Sequence, residues 1–363
     1  MNIKSILNTC HPKTFLAVNF GCRVNAAETN LFSQLLIKNG FSPLLVKGGD
    51  QGVGLIIINT CSITAKANIE SLGKIRSFCS QFPNSQIIVT GCACPATAGA
   101  DISNLKNFKN IIFLTNSEKE LLLKPLHSSY THKIKDKFSH THRFILKIQS
   151  GCNHGCTYCV VPSRRPDLWS LPINNAIDTV NQAVKNGYEE IIITGINLDL
   201  YEPGLSHLLE SLLTQTTIPL ISFGSIPLNC LDDKFINLIK NSKFRIKNYL
   251  HIPLQSGSDK ILNLMHRPYN NLKIKKLIKN CKLEIKNLLL GTDIIVGFPG
   301  ETDFDFQQTY DLCKEIGFSK IHVFKFSPRP GTQAQKLFDQ SPKVSKSNLK
   351  LRSAQLRKLS PNN

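Results

Sequence analysis

The chain is short of acid. Its 363 residues carry 25 Asp and Glu against 44 Lys and Arg, a formal charge of +19, and no acidic residue follows Asp339. Such a balance argues against an enzyme of small neutral metabolites and favours a polyanionic partner, nucleic acid first. A lysine-rich compositional bias would raise the charge equally well without any binding role. Long apolar runs are also missing, since the stretches at 55–58 and 191–193 are strand-sized, so no membrane partner is expected. The start, Met1-Asn2-Ile3-Lys4, has no apolar export signal, which points to the reducing cytoplasm.

Cysteine, by contrast, is plentiful, with twelve in the chain. In a reducing compartment thiols at short spacing bind metal more readily than they pair. Gly151-Cys152-Asn153-His154-Gly155-Cys156-Thr157-Tyr158-Cys159 puts three of them on one short loop. An iron–sulfur cube normally takes four thiolates, so three leave one iron open for catalysis, as a catalytic zinc keeps an open position. Two other readings stand beside it. A zinc knuckle needs a further Cys or His pair nearby, and a run of buried thiols rarely clusters so tightly.

At this length two domains are expected. Strand patterns at 15–18, 55–59, 86–89 and 111–113 alternate with helical patterns at 27–38 and 65–79, predicting a parallel-sheet α/β domain over 1–125. Cys22, Cys61 and Cys92 fall where three of these strands end. In open α/β sheets that edge forms the ligand crevice, so the three can converge as a second metal site, although each alone reads as a buried thiol. A linker is expected over 126–142. Beyond it, strands at 144–149, 190–194, 220–224, 249–252, 291–296 and 320–325 alternate with helices at 173–186, 205–213, 232–241, 258–265, 271–282 and 303–315. Six such units over 143–340 predict a partial (βα)6 barrel with the three-cysteine loop at its C-terminal mouth. Residues 341–363 read as a short basic helical tail.

A three-cysteine loop after the first strand of a partial barrel resembles the radical S-adenosylmethionine enzymes. The chain is similar, over about residues 15–335, to their methylthiotransferase family. The motifs are Phe20-Gly21-Cys22-Arg23-Val24-Asn25 with Glu28, Asn59-Thr60-Cys61-Ser62-Ile63-Thr64 with Ala67, and Val89-Thr90-Gly91-Cys92. In the second half they are Lys147-Ile148-Gln149-Ser150-Gly151-Cys152-Asn153, His251-Ile252-Pro253-Leu254-Gln255-Ser256-Gly257-Ser258 and Asp293-Ile294-Ile295-Val296-Gly297-Phe298-Pro299-Gly300-Glu301-Thr302. The ending His322-Val323-Phe324-Lys325-Phe326-Ser327-Pro328-Arg329-Pro330-Gly331-Thr332 resembles the branch acting on N6-threonylcarbamoyladenosine in tRNA. Other branches act on isopentenyladenosine or on a ribosomal-protein aspartate.

The resemblance implies that Cys152, Cys156 and Cys159 hold one [4Fe–4S] cluster, whose open iron binds S-adenosylmethionine, and that Cys22, Cys61 and Cys92 hold a second that presents sulfur. It implies S-adenosylmethionine contacts from Tyr158, Thr194, Gly195, Asn197, Ser225, Gln255, Gly297, Pro299 and Glu301. From the residues alone, 194–197 also read as an ordinary βα turn, Ser225 and Gln255 as satisfying local backbone, and 297–301 as a helix-start turn. The partners expected are the tRNA anticodon stem-loop and an electron-donor protein, and the chain is expected to be a monomer. Cys94 lies close enough to Cys92 to compete as a ligand, whereas Cys10, Cys79, Cys230, Cys281 and Cys313 read as structural.

Two departures stand out. Where the family carries Arg-Gly and then Arg-Ser-Arg, this chain reads Arg165-Pro166 and Trp169-Ser170-Leu171, replacing arginines that would face cofactor or substrate. Family members generally continue into a small C-terminal β-barrel, and the sequence ends at Asn363 without one. An RNA-binding protein with clusters but no turnover is therefore a competing expectation.

Overall fold

The computed structural model describes residues 7, 10–44, 52–62, 65–94, 105, 108–126 and 142–360. The first half is a five-stranded parallel sheet in the order β2-β1-β3-β4-β5. Its strands are β1 (Thr14–Asn19), β2 (Ser42–Pro43), β3 (Leu55–Thr60), β4 (Gln86–Gly91) and β5 (Ile111–Phe113). β3 is buried along its whole length, as its Leu-Ile-Ile-Ile run requires of a central strand covered on both faces. Helices α1 (Arg23–Lys38), α2 (Ala65–Gln81) and α3 (Asn116–Leu123) complete this half. A reciprocal capping box of Thr115 and Glu118 starts α3.

Side chains alternate across the strands, and the alternation divides the core. Leu16, Ile56, Ile58, Ile87 and Val89 pack with Ile75, Cys79 and Phe82 from and beyond α2. Phe15, Ile57 and Ile88 join Phe32 and Leu36 of α1 in a cluster that runs on without a break into the second half, through Leu146, Ile148 and Ile193. One core therefore serves both halves.

The second half contains β6 (Arg143–Ser150), β7 (Trp169–Ser170), β8 (Glu190–Gly195), β9 (Leu220–Phe223), β10 (Tyr249–His251), β11 (Leu289–Val296) and β12 (Lys320–Lys325). Six are parallel, in the order β6-β8-β9 and β10-β11-β12, and the bridges Ile221↔Ile246 and Ser225↔His251 join the two groups into an open barrel. The helices are α4 (Val161–Arg164), α5 (Ile173–Lys185), α6 (Leu205–Gln215), α7 (Asp233–Asn241), α8 (Asp259–Leu264), α9 (Asn271–Glu284), α10 (Asp303–Ile316), α11 (Gln333–Gln340) and α12 (Lys346–Lys358). No described helix is long and apolar enough to cross a membrane.

The six expected barrel strands and the helices between them are present. Three features differ from expectation. α1 begins at Arg23, directly after Cys22, because the polar Asn25 and Glu28 are buried in contacts that the apolar pattern does not register. The two-residue strands β2 and β7 are too short to leave a periodic signal. Finally, α12 packs on the barrel: Leu356 is buried, Arg352 pairs with Glu301 and, at 2.7 Å, with Asp303, and Ser360 donates to Ser319 O at 2.9 Å. Most of the expected linker, 127–141, lies outside the described residues.

Candidate active site

The three-cysteine loop leaves the end of β6 through Gly151, at φ +81°, where an added Cβ would lie 2.1 Å from the carbonyl oxygen of Asp167. Only glycine fits there. Each sulfur of the loop accepts a hydrogen bond. His154 N donates to Cys152 Sγ at 3.4 Å, Val161 N to Cys159 Sγ at 3.4 Å, and Arg267 Nη1 to Cys156 Sγ at 3.4 Å. All twelve cysteines are free thiols.

Burial pushes the Cys152 thiol up and that of Cys159 up to about 11, so bare thiolates are unfavourable here. A multiply charged metal centre would reverse that preference, and the three donors suit sulfurs carrying negative charge. Three thiolates on one zinc would sit roughly 3.8 Å apart, given Zn–S bonds near 2.3 Å. Among the described residues, however, the one set with all ligand atoms within 4.8 Å is His251, Asp293 and His322. Neither thiol triad is therefore drawn together as a single zinc would require.

Cys22, Cys61 and Cys92 stand at the carboxyl ends of β1, β3 and β4, adjacent strands of the first sheet. Cys22 occupies the N-cap of α1 and donates to Asn25 Oδ1 at 3.6 Å. Cys92 follows Gly91, whose φ of +97° and close approach to Thr60 leave no room for a side chain. Burial raises the Cys22 thiol, and the neighbouring Cys92 adds to the effect. Cys94 turns away, donating to Val89 O at 3.5 Å. Cys10, Cys79, Cys230, Cys281 and Cys313 are buried.

Arg165 connects the two sets. Its carbonyl accepts from Cys152 N at 3.2 Å, while its Nε donates to Cys92 Sγ at 3.4 Å. The guanidinium also reaches Glu28 through two bonds of 2.6 and 3.0 Å and Asn25 at 3.1 Å. Glu28, fully buried, receives Lys119 at 2.6 Å and Lys147 at 2.9 Å as well, and Lys147 also bonds Glu120 at 2.6 Å. Burial would raise the Glu28 carboxyl, but Arg165, Lys119 and Lys147 together hold it well below the usual carboxylate range. Burial pulls Lys119 down to about 8 despite Glu28 beside it. Glu28, Arg165 and Lys147 stand in the sequence motifs, yet nothing in the sequence pairs them across more than a hundred residues.

A cavity of ≈ 200 Å³ opens beside the loop, lined by Cys152, Cys156 and Cys159 together with Tyr158, Gly195, Asn197, Ser225 and Gln255. Asn197 N donates to Gln149 Oε1 at 2.8 Å, and its amide lies 3.8 Å from Cys152 Sγ. Gln255 holds φ +74° without being glycine, a backbone state that is uncommon outside constrained sites. Tyr158 meets Phe298 edge-on at 6.4 Å. Thr194 lines a second cavity of ≈ 730 Å³, as do Cys22, Gly195 and Ser225.

Gly297, Pro299 and Glu301 line neither cavity. Glu301 accepts from Gly297 N at 2.9 Å and pairs with Arg352. Leu171 and Trp169, which stand where arginines were expected, pack as part of β7 and just beyond it: Leu171 is 1% exposed and donates its N–H to Ile148 O at 2.7 Å. Sequence reasoning missed Arg267, which sits between Cys156 and Tyr269 and carries no signal beyond a basic residue before a proline.

Residues 146–313 match the radical SAM superfamily, and residues 14–113 match uncharacterized protein family UPF0004. Threonylcarbamoyladenosine tRNA methylthiotransferase MtaB of Thermotoga maritima is 31% identical over 90% of this chain and 77% of its own length. The protein of the same name from Bacillus subtilis is 33% identical over 88% and 75%. A tRNA-2-methylthio-N(6)-dimethylallyladenosine synthase of Chloroflexus aurantiacus is 32% identical over 86% and 70%. The fold is similar to that of the radical S-adenosylmethionine methyltransferase TsrM from Kitasatospora setae, with a TM-score of 0.68 and 12% identity over 90% of this chain and 78% of that one. With both halves matched, and relatives above 30% identity over at least 70% of their own length, the chain belongs to the radical S-adenosylmethionine methylthiotransferases and is an enzyme that transfers sulfur-containing groups.

Proposed function

We propose that the protein methylthiolates C2 of N6-threonylcarbamoyladenosine beside the anticodon of tRNA. The observation that carries this reading is the juxtaposition of two three-thiol sets through Arg165, with cavities opening beside both. Family membership brings S-adenosylmethionine and one [4Fe–4S] cluster. Cys152, Cys156 and Cys159 would hold that cluster, and Cys22, Cys61 and Cys92 a second.

When bound, cluster and S-adenosylmethionine together supply hydrogen abstraction from an unactivated carbon, chemistry that no side-chain acid or base provides. In net terms a C2–H bond is replaced by C2–S–CH3. Once loaded, one S-adenosylmethionine would take up the hydrogen, a second would give the methyl, the site at Cys22, Cys61 and Cys92 would give the sulfur, and a donor protein would supply the electrons.

The chain's own residues orient and enclose. Arg267, with the backbone at His154 and Val161, fixes the first sulfurs. Gly195, Asn197, Ser225 and Gln255 shape the cavity beside them. The buried Glu28 network ties α1 to α3, to β6 and to the loop that carries Arg165. With a formal charge of +19, binding of tRNA draws on phosphate neutralisation and weakens as salt rises.

Isopentenyladenosine as the target is the second reading, favoured by the 32% identity to the dimethylallyladenosine synthase. Mass analysis of tRNA nucleosides from cells with and without the chain separates the two. A methylthio group appearing only on isopentenyladenosine overturns the first reading, and none on either adenosine overturns both.

A further inference from the structure

We infer that the larger cavity receives an acidic substituent on the target base and that Arg23 pairs with its carboxylate. This rests on the proposed function and specifies how the threonylcarbamoyl group would be told from an isopentenyl group.

The cavity of ≈ 730 Å³ is the lumen of the open barrel, closed on one side by Cys22, Arg23 and Val24 of the first half. Its size falls in the range of ordinary ligand pockets, roughly 300–1,000 Å³. Two acids line it, and both are engaged. Glu190 accepts from Ser222 at 2.7 Å and lies 3.6 Å from Lys247 and 4.0 Å from Arg143. Asp293 sits between His251 at 3.0 Å and His322 at 3.3 Å.

Arg23 and Lys320 line the same wall and make no ion pair among the described residues. Arg23 lies near enough to Tyr249 to offset part of the rise that burial gives that phenol, whereas Lys320, close to His322, adds to the lowering that burial gives that ring. The two free cations thus flank the Tyr249, His251, Asp293 and His322 cluster. α1 also starts at Arg23 with no side chain capping it, so its positive end has the same sign.

The lumen therefore presents net positive charge in a partly enclosed space. A carboxylate entering it exchanges water for a charge-assisted bond. An isopentenyl group would shield Arg23 from water and offer nothing in return. Burial lowers the pKa of His322, and a neutral ring bonded to Asp293 through Nδ1 leaves Nε2 to accept from a hydroxyl or amide N–H. A divalent cation on His251, Asp293 and His322 is disfavoured by the same flanking charges.

The test uses the full chain and anticodon stem-loop oligonucleotides carrying N6-threonylcarbamoyladenosine, its methyl ester or isopentenyladenosine, with affinity read by fluorescence anisotropy. Wild type should bind the acid about tenfold or more tighter than the ester, the yield of one hydrogen bond to a charged group. Arg23→Gln should erase that preference, and Arg23→Lys should keep part of it. Arg23 is exposed on the first turn of α1, so these variants should fold. Equal binding of acid and ester by wild type, or a preference that survives Arg23→Gln, overturns the inference. The nucleoside analysis reads the function separately: methylthiolated threonylcarbamoyladenosine with no acid preference would keep the function and remove the subsite. An Arg23-dependent preference with no methylthiolation would keep the subsite and remove the function.

Discussion

Arg165 donates to Cys92 Sγ at 3.4 Å while its own backbone carbonyl accepts from Cys152 at 3.2 Å. One residue thus touches the thiol of Cys92 in the first half and the backbone of Cys152 in the second. Its side chain reaches Cys92 from the buried carboxylate of Glu28, so the position of a sulfur in the first sheet depends on a loop of the barrel.

Replacing Arg165 by Lys should disturb the second thiol site more than the first. A lysine cannot bond Glu28 twice and also reach Cys92. Activity should fall about 10- to 100-fold, the usual cost of losing a group that orients a metal ligand. The discriminating measurement is electron paramagnetic resonance of the reduced protein, where one cluster's signal should shift while the other stays. Two unshifted signals would leave Arg165 with a packing role alone.

The two thiol sets should load independently. Anaerobic reconstitution followed by iron and sulfide counting should give about eight irons per chain, two cubes of four. Cys156→Ala and Cys92→Ala should each lower that to about four. A count of four in the wild type, lost with Cys156→Ala and unaffected by Cys92→Ala, would remove the second cluster.

The Glu28 network should make stability depend on pH in two windows. Glu28 is depressed in the folded chain, so its contribution is complete above the usual carboxylate range and is lost as pH falls through the lower folded value. Lys119, usually near 10.5 but about 8 when folded, works in the opposite sense. Between about 8 and 10.5 the unfolded chain binds more protons, and stability rises with pH there. Urea unfolding of Lys119→Met should lose the alkaline rise and keep the acid fall. For Glu28→Gln the expected loss is about 3–5 kcal/mol, because buried cations are left without their carboxylate.

Arg352 should matter to the barrel although it lies in the last described helix. It is buried against Glu301, and Leu349 of the same helix lies where a side chain on Gly297 would stand. Arg352→Met should cost about 3–5 kcal/mol, as breaking a buried pair does, with burial then keeping the Glu301 carboxyl raised. Thermal melting reads the loss. An unchanged midpoint would show that α12 is not part of the cooperative core.

Much of the architecture was legible because barrel strands announce themselves by apolar runs and turns. The three-cysteine loop and the cysteines at strand ends are local patterns as well. What escaped is long-range or polar: the pairing of Glu28 with Arg165, the burial of Lys119 and Lys147, and the docking of Arg352. Charge counting places lysines and arginines at the surface, and only a partner brought near by the fold takes them inside. Leu171 is the reverse case. Judged against its family's arginine it reads as a lost contact, whereas its position next to β7 gives it a place in the core.

The buried carboxylate of Glu28 also limits how the two halves can move. Its three cations come from α3, from β6 and from the loop after α4, so a shear of α1 along the barrel by even one helical turn would strand it among unmatched charges. Hinged opening of the kind that lets many two-part enzymes admit substrate would expose the same charges one by one. The seam between the two halves therefore resists both kinds of motion.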